Sequence, residues 1–270
     1  MATAKKSPKK AASVAAKRPA VAAKPRAPRY KQLDPAAQLD KLSNDPPARA
    51  TRSRGLDAPA AAPTGPQLPA NAFGAYTGEA LGPNAFAQAA QSLGCEVAAV
   101  KAVAEVESRG SGFDAKNRPT ILYERHVFAR SCVPKGKFNV SNPDISASTP
   151  YPKGTFGNTE QQWEKLAKAY ALDPEAACKA PSWGIFQILG ENHRACGFAT
   201  AVEYARAMTT SPVAHLKAFV AFVQNDRRLL KAIRERDWPG FALAYNGKGY
   251  EVYQYDKKIA AAYAKHRAAG

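Results

Sequence analysis

The stretch Ala102–Asp114, A-V-A-E-V-E-S-R-G-S-G-F-D, holds the residue best suited to acid chemistry in this chain. Val100, Val103 and Glu107 step by three and four, so they share one helical face. That face is otherwise apolar, which puts Glu107 at the end of a buried stripe. Ser108, Gly110 and Gly112 then break the helix, because glycine adopts the backbone conformations that end helices. A carboxyl at the last turn of a buried helix can face a cleft. Partial desolvation raises its pKa and lets it carry a proton near neutral pH, as general acid catalysis requires. The same pattern also fits an exposed charge at a helix end. Glu105 lies four residues after Lys101 on another face, where an ion pair in water is expected.

Other chemistries lack their residues. The four cysteines, Cys95, Cys132, Cys178 and Cys196, have no CxxC or Cys/His ligand spacing, and no HExxH occurs. A metal site is therefore not expected, and the thiols read as reduced and structural. Serine nucleophile elbows and phosphate-binding loops are absent too, so no cofactor is expected. Carboxylates, aromatics and amides remain. That set suits glycoside hydrolysis, in which two carboxyls, or one and a positioned water, flank the bond.

The elements that must position these groups are mostly helical. Pro83–Leu93 reads as a helix ended by Gly94, and Cys95–Ser108 as the buried helix. Pro119–Phe128, rich in β-branched and aromatic residues, reads as a strand within a turn-rich region from Gly110 to Asn158. Thr159 with Gln162, and Thr200 with Glu203, form capping boxes. Asp173-Pro174 and Ser211-Pro212 are N-caps followed by proline. Ser182 is expected to cap a helix W-G-I-F-Q-I-L, which would put Gln187 on the same side as Gly184 and Trp183. Further helices cover the stripe Leu216, Phe219, Val220 and Val223, then Leu229–Ile233, Trp238–Tyr245 (ended by Asn246-Gly247) and Tyr250–His266. The fold class is mainly α, with a small β or loop lobe flanking a cleft suited to an extended substrate.

Charge is unevenly placed. The chain of 270 residues has a net charge of +17. Residues 1–60 hold 14 Lys/Arg against 4 Asp, a net +10, leaving +7 for the rest. This Ala/Lys/Pro-rich stretch has almost no large apolar residues before Leu33, so it is expected to be a disordered tail. Ser13, Lys17, Arg18 and Lys24 interrupt any signal-peptide core, and no run is long and apolar enough to span a membrane. Such a tail could bind an anionic envelope surface or, as the lesser alternative, nucleic acid, or serve only as a solubilising extension. A Pro/Ala linker, residues 57–70, leads to a folded domain starting between about Asn71 and Asn84.

Three blocks together resemble the lysozyme-like superfamily. They are Glu107-Ser108 at a helix end, Ser182-Trp-Gly-Ile-Phe-Gln-Ile188, and Ala244-Tyr-Asn-Gly247. The second is similar to the S-x-G-L-x-Q-I block of soluble lytic transglycosylases and goose-type lysozymes, and the third to their A-Y-N-x-G. More closely, V-E-S-R-G-S-G-F-D, I-L-Y-E-R-H-V-F, P-S-W-G-I-F-Q-I-L-G-E-N-H and Y-N-G-K-G-Y resemble the N-acetylmuramidase endolysins of bacteriophages and prophages, from about residue 84 to 266. Residues 1–70 do not look like the peptidoglycan-binding module that some members of that family carry. The resemblance implies a catalytic domain at 71–270 that hydrolyses the β-1,4 bond between N-acetylmuramic acid and N-acetylglucosamine in peptidoglycan glycan strands. A lytic transglycosylase on the same bond is the rival reading.

It further implies Glu107 as general acid, and Ser182, Gly184, Gln187, Tyr245 and Asn246 as substrate-contacting residues. Gly184 would let backbone or substrate approach closely, and Tyr245 and Asn246 would line the opposite wall. Their other readings are a core-edge tyrosine and a helix-capping asparagine. Glu124 is the first choice for a second carboxylate, because a charge inside an apolar strand needs a reason. It could equally pair with Arg125 or His126, and Asp114 and Asp144 are alternatives. The expectation is a monomer, made in the host cytoplasm without a signal peptide and acting on the periplasmic cell wall after release.

Overall fold

The computed structural model describes residues 67–108, 112–152 and 154–269. The segment 1–66, with its expected disordered tail and its charge-based partners, lies outside the described residues. Ordered packing starts early: Leu68 joins the core, and the Phe73 ring meets Trp163, Tyr170 and Trp183 edge-on at 6.1, 5.6 and 5.8 Å.

Eleven α-helices and one three-stranded sheet make up the described residues. Helix α1 is Ala85–Leu93, closed by Gly94 in the left-handed conformation at φ 65°. Helix α2, Val97–Glu107, is built almost wholly of Ala and Val, and it is buried along most of its length. Strand β1 is only Ile121–Tyr123. The expected strand 119–128 stops there, because the chain turns at Glu124 into α3, Arg125–Ser131. Tyr123, Val127 and Phe128 are all buried, a spacing that a helix after Tyr123 satisfies.

Helix α4, Thr159–Leu172, carries a capping box formed by Asn158 and Gln161, one residue earlier than expected. Gln162 is instead fully buried, and its Oε1 accepts from the backbone N–H of Tyr123 at 2.9 Å. Asp173 caps α5, Pro174–Lys179, with proline at its start as expected. Then comes the largest departure. W-G-I-F-Q-I-L is not a helix but a hairpin of β2, Pro181–Trp183, and β3, Ile188–Leu189. Gly184 and Gln187 in the turn take φ of 64° and 44°, which a right-handed helix excludes. The sheet is antiparallel with order β1-β2-β3, registering Leu122 on Ser182 and Ser182 on Leu189.

The remaining helices are α6, Ala201–Met208; α7, Pro212–Asn225; α8, Arg227–Glu235; α9, Trp238–Asn246; α10, Tyr250–Tyr253; and α11, Tyr255–Ala268. Thr200 with Glu203 caps α6, and Ser211 caps α7, both at the expected residues. The single helix expected over 250–266 is split at Gln254, whose φ is 54°. Helix α11 lies along α2. Lys265 and His266 reach Glu105 at 3.0 and 2.7 Å, and Tyr263 donates to Glu96 at 2.8 Å. These contacts replace the expected Lys101–Glu105 pair. All four cysteines are free thiols.

Candidate active site

Glu107 ends α2 and is 1% exposed, its burial enforced by the apolar helix that carries it. Asn246 ends α9 and is 3% exposed. The two meet: Asn246 Nδ2 donates to Glu107 Oε1 at 3.0 Å. Asn246 Oδ1 is buried with no donor among the described residues. Helix α9 reaches this point from an Asp237 cap, and Gly247 at φ 80° releases the chain directly after it.

The hairpin turn at residues 184–187 is joined to the same corner. Tyr245, next to Asn246, donates its hydroxyl to Phe186 O at 2.6 Å and stacks its ring on Phe241. Within the turn, Gln187 Nε2 donates to Gly184 O at 2.7 Å and to Thr120 O at 3.2 Å. Thr120 O also accepts from Gly184 N at 2.8 Å, and Thr120 N donates to Gly112 O at 2.8 Å. The chain just after Glu107 is therefore tied to the turn. Gly112, at φ 77°, is essential to that approach: a Cβ there would lie 2.4 Å from Ile185 Cγ1.

His215, on α7, locks the turn from the other side. Its Nδ1 accepts from Ile185 N at 3.2 Å, so Nε2 is the protonated nitrogen and donates to Met208 O at 2.7 Å. Burial pushes its pKa from 6.5 down to about 4, against a smaller upward effect of the Met208 carbonyl. The Phe113 ring stacks on the imidazole, with centroids 4.9 Å apart and planes 3° from parallel. Neither residue was a sequence candidate. The usable signal was a histidine beside Leu216 on an apolar helical stripe.

The structure thus brings Glu107 and Asn246 into contact, with Tyr245, Gln187 and Gly184 bracing the adjoining turn. At Gly184 a Cβ would sit 2.3 Å from His215 Cε1, so the His215 ring is a close neighbour there. Gln187 does meet Gly184, through a hairpin turn rather than helical spacing. Ser182 is a buried residue of the central strand, not a helix cap.

Glu124 stands elsewhere. It is 5% exposed at the start of α3, with Oε2 3.3 Å from His126 Nδ1. Arg125 points away, donating to Thr149 O and Pro150 O at 3.0 Å each. Of the alternatives, Asp114 pairs with Arg118 at 2.9 Å and Asp144 with Lys168 at 2.8 Å. Among the described residues, no group of three or more His, Cys, Asp or Glu is placed to hold a metal ion.

The sequence model of the N-acetylmuramidase family matches residues 96–267, a range that includes Glu107, the hairpin turn and Asn246. Among solved structures, the chain is similar to the crystal structure of an endolysin from Burkholderia phage AP3. The two share 35% identity with a TM-score of 0.65, over 71% of this chain and 73% of that one. No curated protein matches the chain.

Proposed function

Because the chain belongs to the N-acetylmuramidase family, whose members are peptidoglycan hydrolases, we propose that it cleaves the β-1,4 bond between N-acetylmuramic acid and N-acetylglucosamine, with Glu107 as general acid. The observation that carries this reading is the pairing of a buried carboxyl at a helix end with a buried amide, Asn246 Nδ2 on Glu107 Oε1 at 3.0 Å. Burial favours the neutral, proton-bearing form of a carboxyl, and a general acid needs that form. The amide can serve both protonation states. It donates to a carboxylate, and after a flip it can accept from a protonated carboxyl. Asn246 Oδ1, which has no donor among the described residues, supplies an acceptor for a water or a substrate N–H at the same spot.

Glu124 lies beside His126, and a second carboxylate need not touch the acid, because the two flank the bond from a distance. We read the oxocarbenium-like centre as met by Glu124, by a positioned water or by the substrate's own N-acetyl group. The similarity to a phage endolysin supports action on the wall of a bacterial host from within. Among the described residues no helix is long and apolar enough to cross a membrane. The +10 of residues 1–60 suits contact with an anionic envelope surface, weakening as salt rises.

The test is Glu107→Gln on purified sacculi. Loss of roughly 10²–10⁴-fold in turnover with an unchanged melting curve is expected. Retention of more than about a tenth of the rate would remove Glu107 from the role. Glu105→Gln, at the surface pair with Lys265 and His266, is the control and should be nearly silent. Reducing-end N-acetylmuramic acid in the digest identifies hydrolysis, whereas 1,6-anhydromuramic ends would make the enzyme a transglycosylase.

A further inference from the structure

A groove of about 1180 Å³ opens between the 68–76 segment, the turn at 117–119 and α4. Neither Glu107, Asn246 nor any residue of the 184–187 turn lines it. Its lining holds the aromatics Phe73, Tyr76 and Trp163, the cations Arg118, Lys165 and Lys168, and the carboxylates Asp144, Glu160 and Glu164. Two of the cations are matched: Arg118 is held by Asp114 and Glu160 at 2.9 and 2.8 Å, and Lys168 by Asp144 at 2.8 Å. Lys165 is not. Its ammonium donates to the Phe156 carbonyl and lies 4.2 Å over the Tyr151 ring, and no carboxylate lies within 4.0 Å of it among the described residues.

Lys165 is therefore half-buried with neutral groups as its direct contacts, and Glu124 and Asp144 act on it only from longer range. Desolvation of a cation is costly unless an anion compensates, and this one has its pKa pushed down to about 8 by burial. An anionic ligand in the groove would supply the missing partner through a charge-assisted hydrogen bond. In intact peptidoglycan the lactyl carboxyl of N-acetylmuramic acid is tied up in the amide to its stem, so the free carboxylates belong to the stem peptides. Those stems also carry short aliphatic side chains that aromatic rings can cover.

We propose that this groove binds a carboxylate-bearing stem peptide of peptidoglycan, with Lys165 as its anion partner, at a site separate from the Glu107 corner. The proposal rests on peptidoglycan being the substrate. It gives the enzyme a hold on the polymer in addition to the sugars being cut, so that strands with free stem carboxylates are preferred over strands whose stem carboxyls are amidated.

The experiment uses the full chain and two substrates, sacculus glycan strands with free stem carboxylates and the same strands with those carboxyls blocked as amides. Lys165→Gln should raise KM on the free-carboxylate strands about tenfold, as expected for one lost charge-assisted contact, with kcat unchanged and no effect on the amidated strands. Lys165→Arg, which keeps the charge, should retain the preference. Tyr76→Ala, on the exposed rim, should weaken it without touching Lys165. Equal effects on both substrates, or no effect of Lys165→Gln on either, would overturn the proposal. A direct titration keeps it separate from the catalytic reading. The soluble tripeptide L-Ala–γ-D-Glu–L-Lys should bind the Glu107→Gln protein as it binds the parent, and its carboxyl-amidated form should not. Equal binding of both peptides, or no binding, refutes the groove whatever the cleavage products are.

Discussion

The hairpin turn at 184–187 and the charged loop at 114–118 are both held by polar contacts, yet they work in opposite media. The turn is secured by neutral hydrogen bonds in a dry interior: Thr120 O, His215 and Tyr245 each satisfy a backbone or side-chain group of it. The loop is secured by Arg118 and Lys116, which reach Glu160 at 2.8 and 2.7 Å, with the Lys116 and Glu160 side chains 64% and 47% exposed. Water can compete for the Lys116 and Glu160 bonds of the loop and for almost none of those in the turn. Desolvated groups must be matched, so the turn specifies one geometry. The exposed network tunes charge more than it stabilises.

Gly184→Ala should break this contrast most severely. Its φ of 64° is left-handed, and the new methyl would meet the His215 ring at 2.3 Å. Backbone strain of about 1–2 kcal/mol and overpacking of about 1–3 kcal/mol both apply. Urea unfolding should show a loss of at least about 2 kcal/mol, or no soluble protein. Near-parental stability would mean that the turn is far more adaptable than described.

Acid should separate the two regions next. His215 has a folded-state pKa of about 4 against an ordinary 6.5. Between these values the unfolded chain binds the extra proton, so stability declines as pH falls from about 6.5 to 4 and the effect levels off below. The slope is at most about 1.4 kcal/mol per pH unit for one proton. In His215→Gln that slope should vanish although the protein starts less stable. Glu160 behaves differently. The hydrogen bonds from Arg118 and then Lys116 pull its pKa to about 2. Its small contribution is present above about pH 4.5 and fades only as pH drops toward 2. Melting curves across pH distinguish the two windows.

Asn246→Ala removes a hydrogen bond to a buried carboxyl, worth about 0.5–1.5 kcal/mol for the proton-bearing form. If that bond aligns Glu107, kcat/KM should fall roughly twofold to tenfold. Asn246→Asp, which sets a second carboxylate against the first, should be worse. Activity equal to the parent in both would detach Asn246 from the reaction. The smallest effect belongs to Glu160→Gln, about 0.2–1 kcal/mol in stability at low salt and less as salt rises.

Where local chemistry decided the outcome, the sequence was a good guide, with the cap of α4 off by one residue. The caps at Asp173, Thr200 and Ser211, the end of α1 at Gly94, and the buried face of α2 all follow from side chains acting within a turn of themselves. Distant partners decided the rest. W-G-I-F-Q-I-L is an apolar run that suits a buried helix or a buried hairpin equally, and only pairing with β1 selects the hairpin. I-L-Y-E-R-H-V-F likewise divides at Glu124 between strand and helix. Glu105 had a local partner in Lys101 but takes two from α11. Of the site, Glu107 and Asn246 were legible as residues, while their contact across 139 positions was not. His215 and Phe113 were hidden because their roles exist only once the turn has formed.

The packing of α11 along α2 has a temporal side. The helix that carries Glu107 ends at residue 107, and the helix that covers its flank begins at residue 255. During synthesis at about 5–20 residues per second, roughly 7–30 seconds separate the emergence of the two. Throughout that interval the Ala/Val helix lacks its cover, and Glu96 and Glu105 lack Tyr263, Lys265 and His266. Asn246 also arrives only near the end. A nascent chain therefore carries its candidate acid early and its finished site late, and the delay is written into the order of the helices.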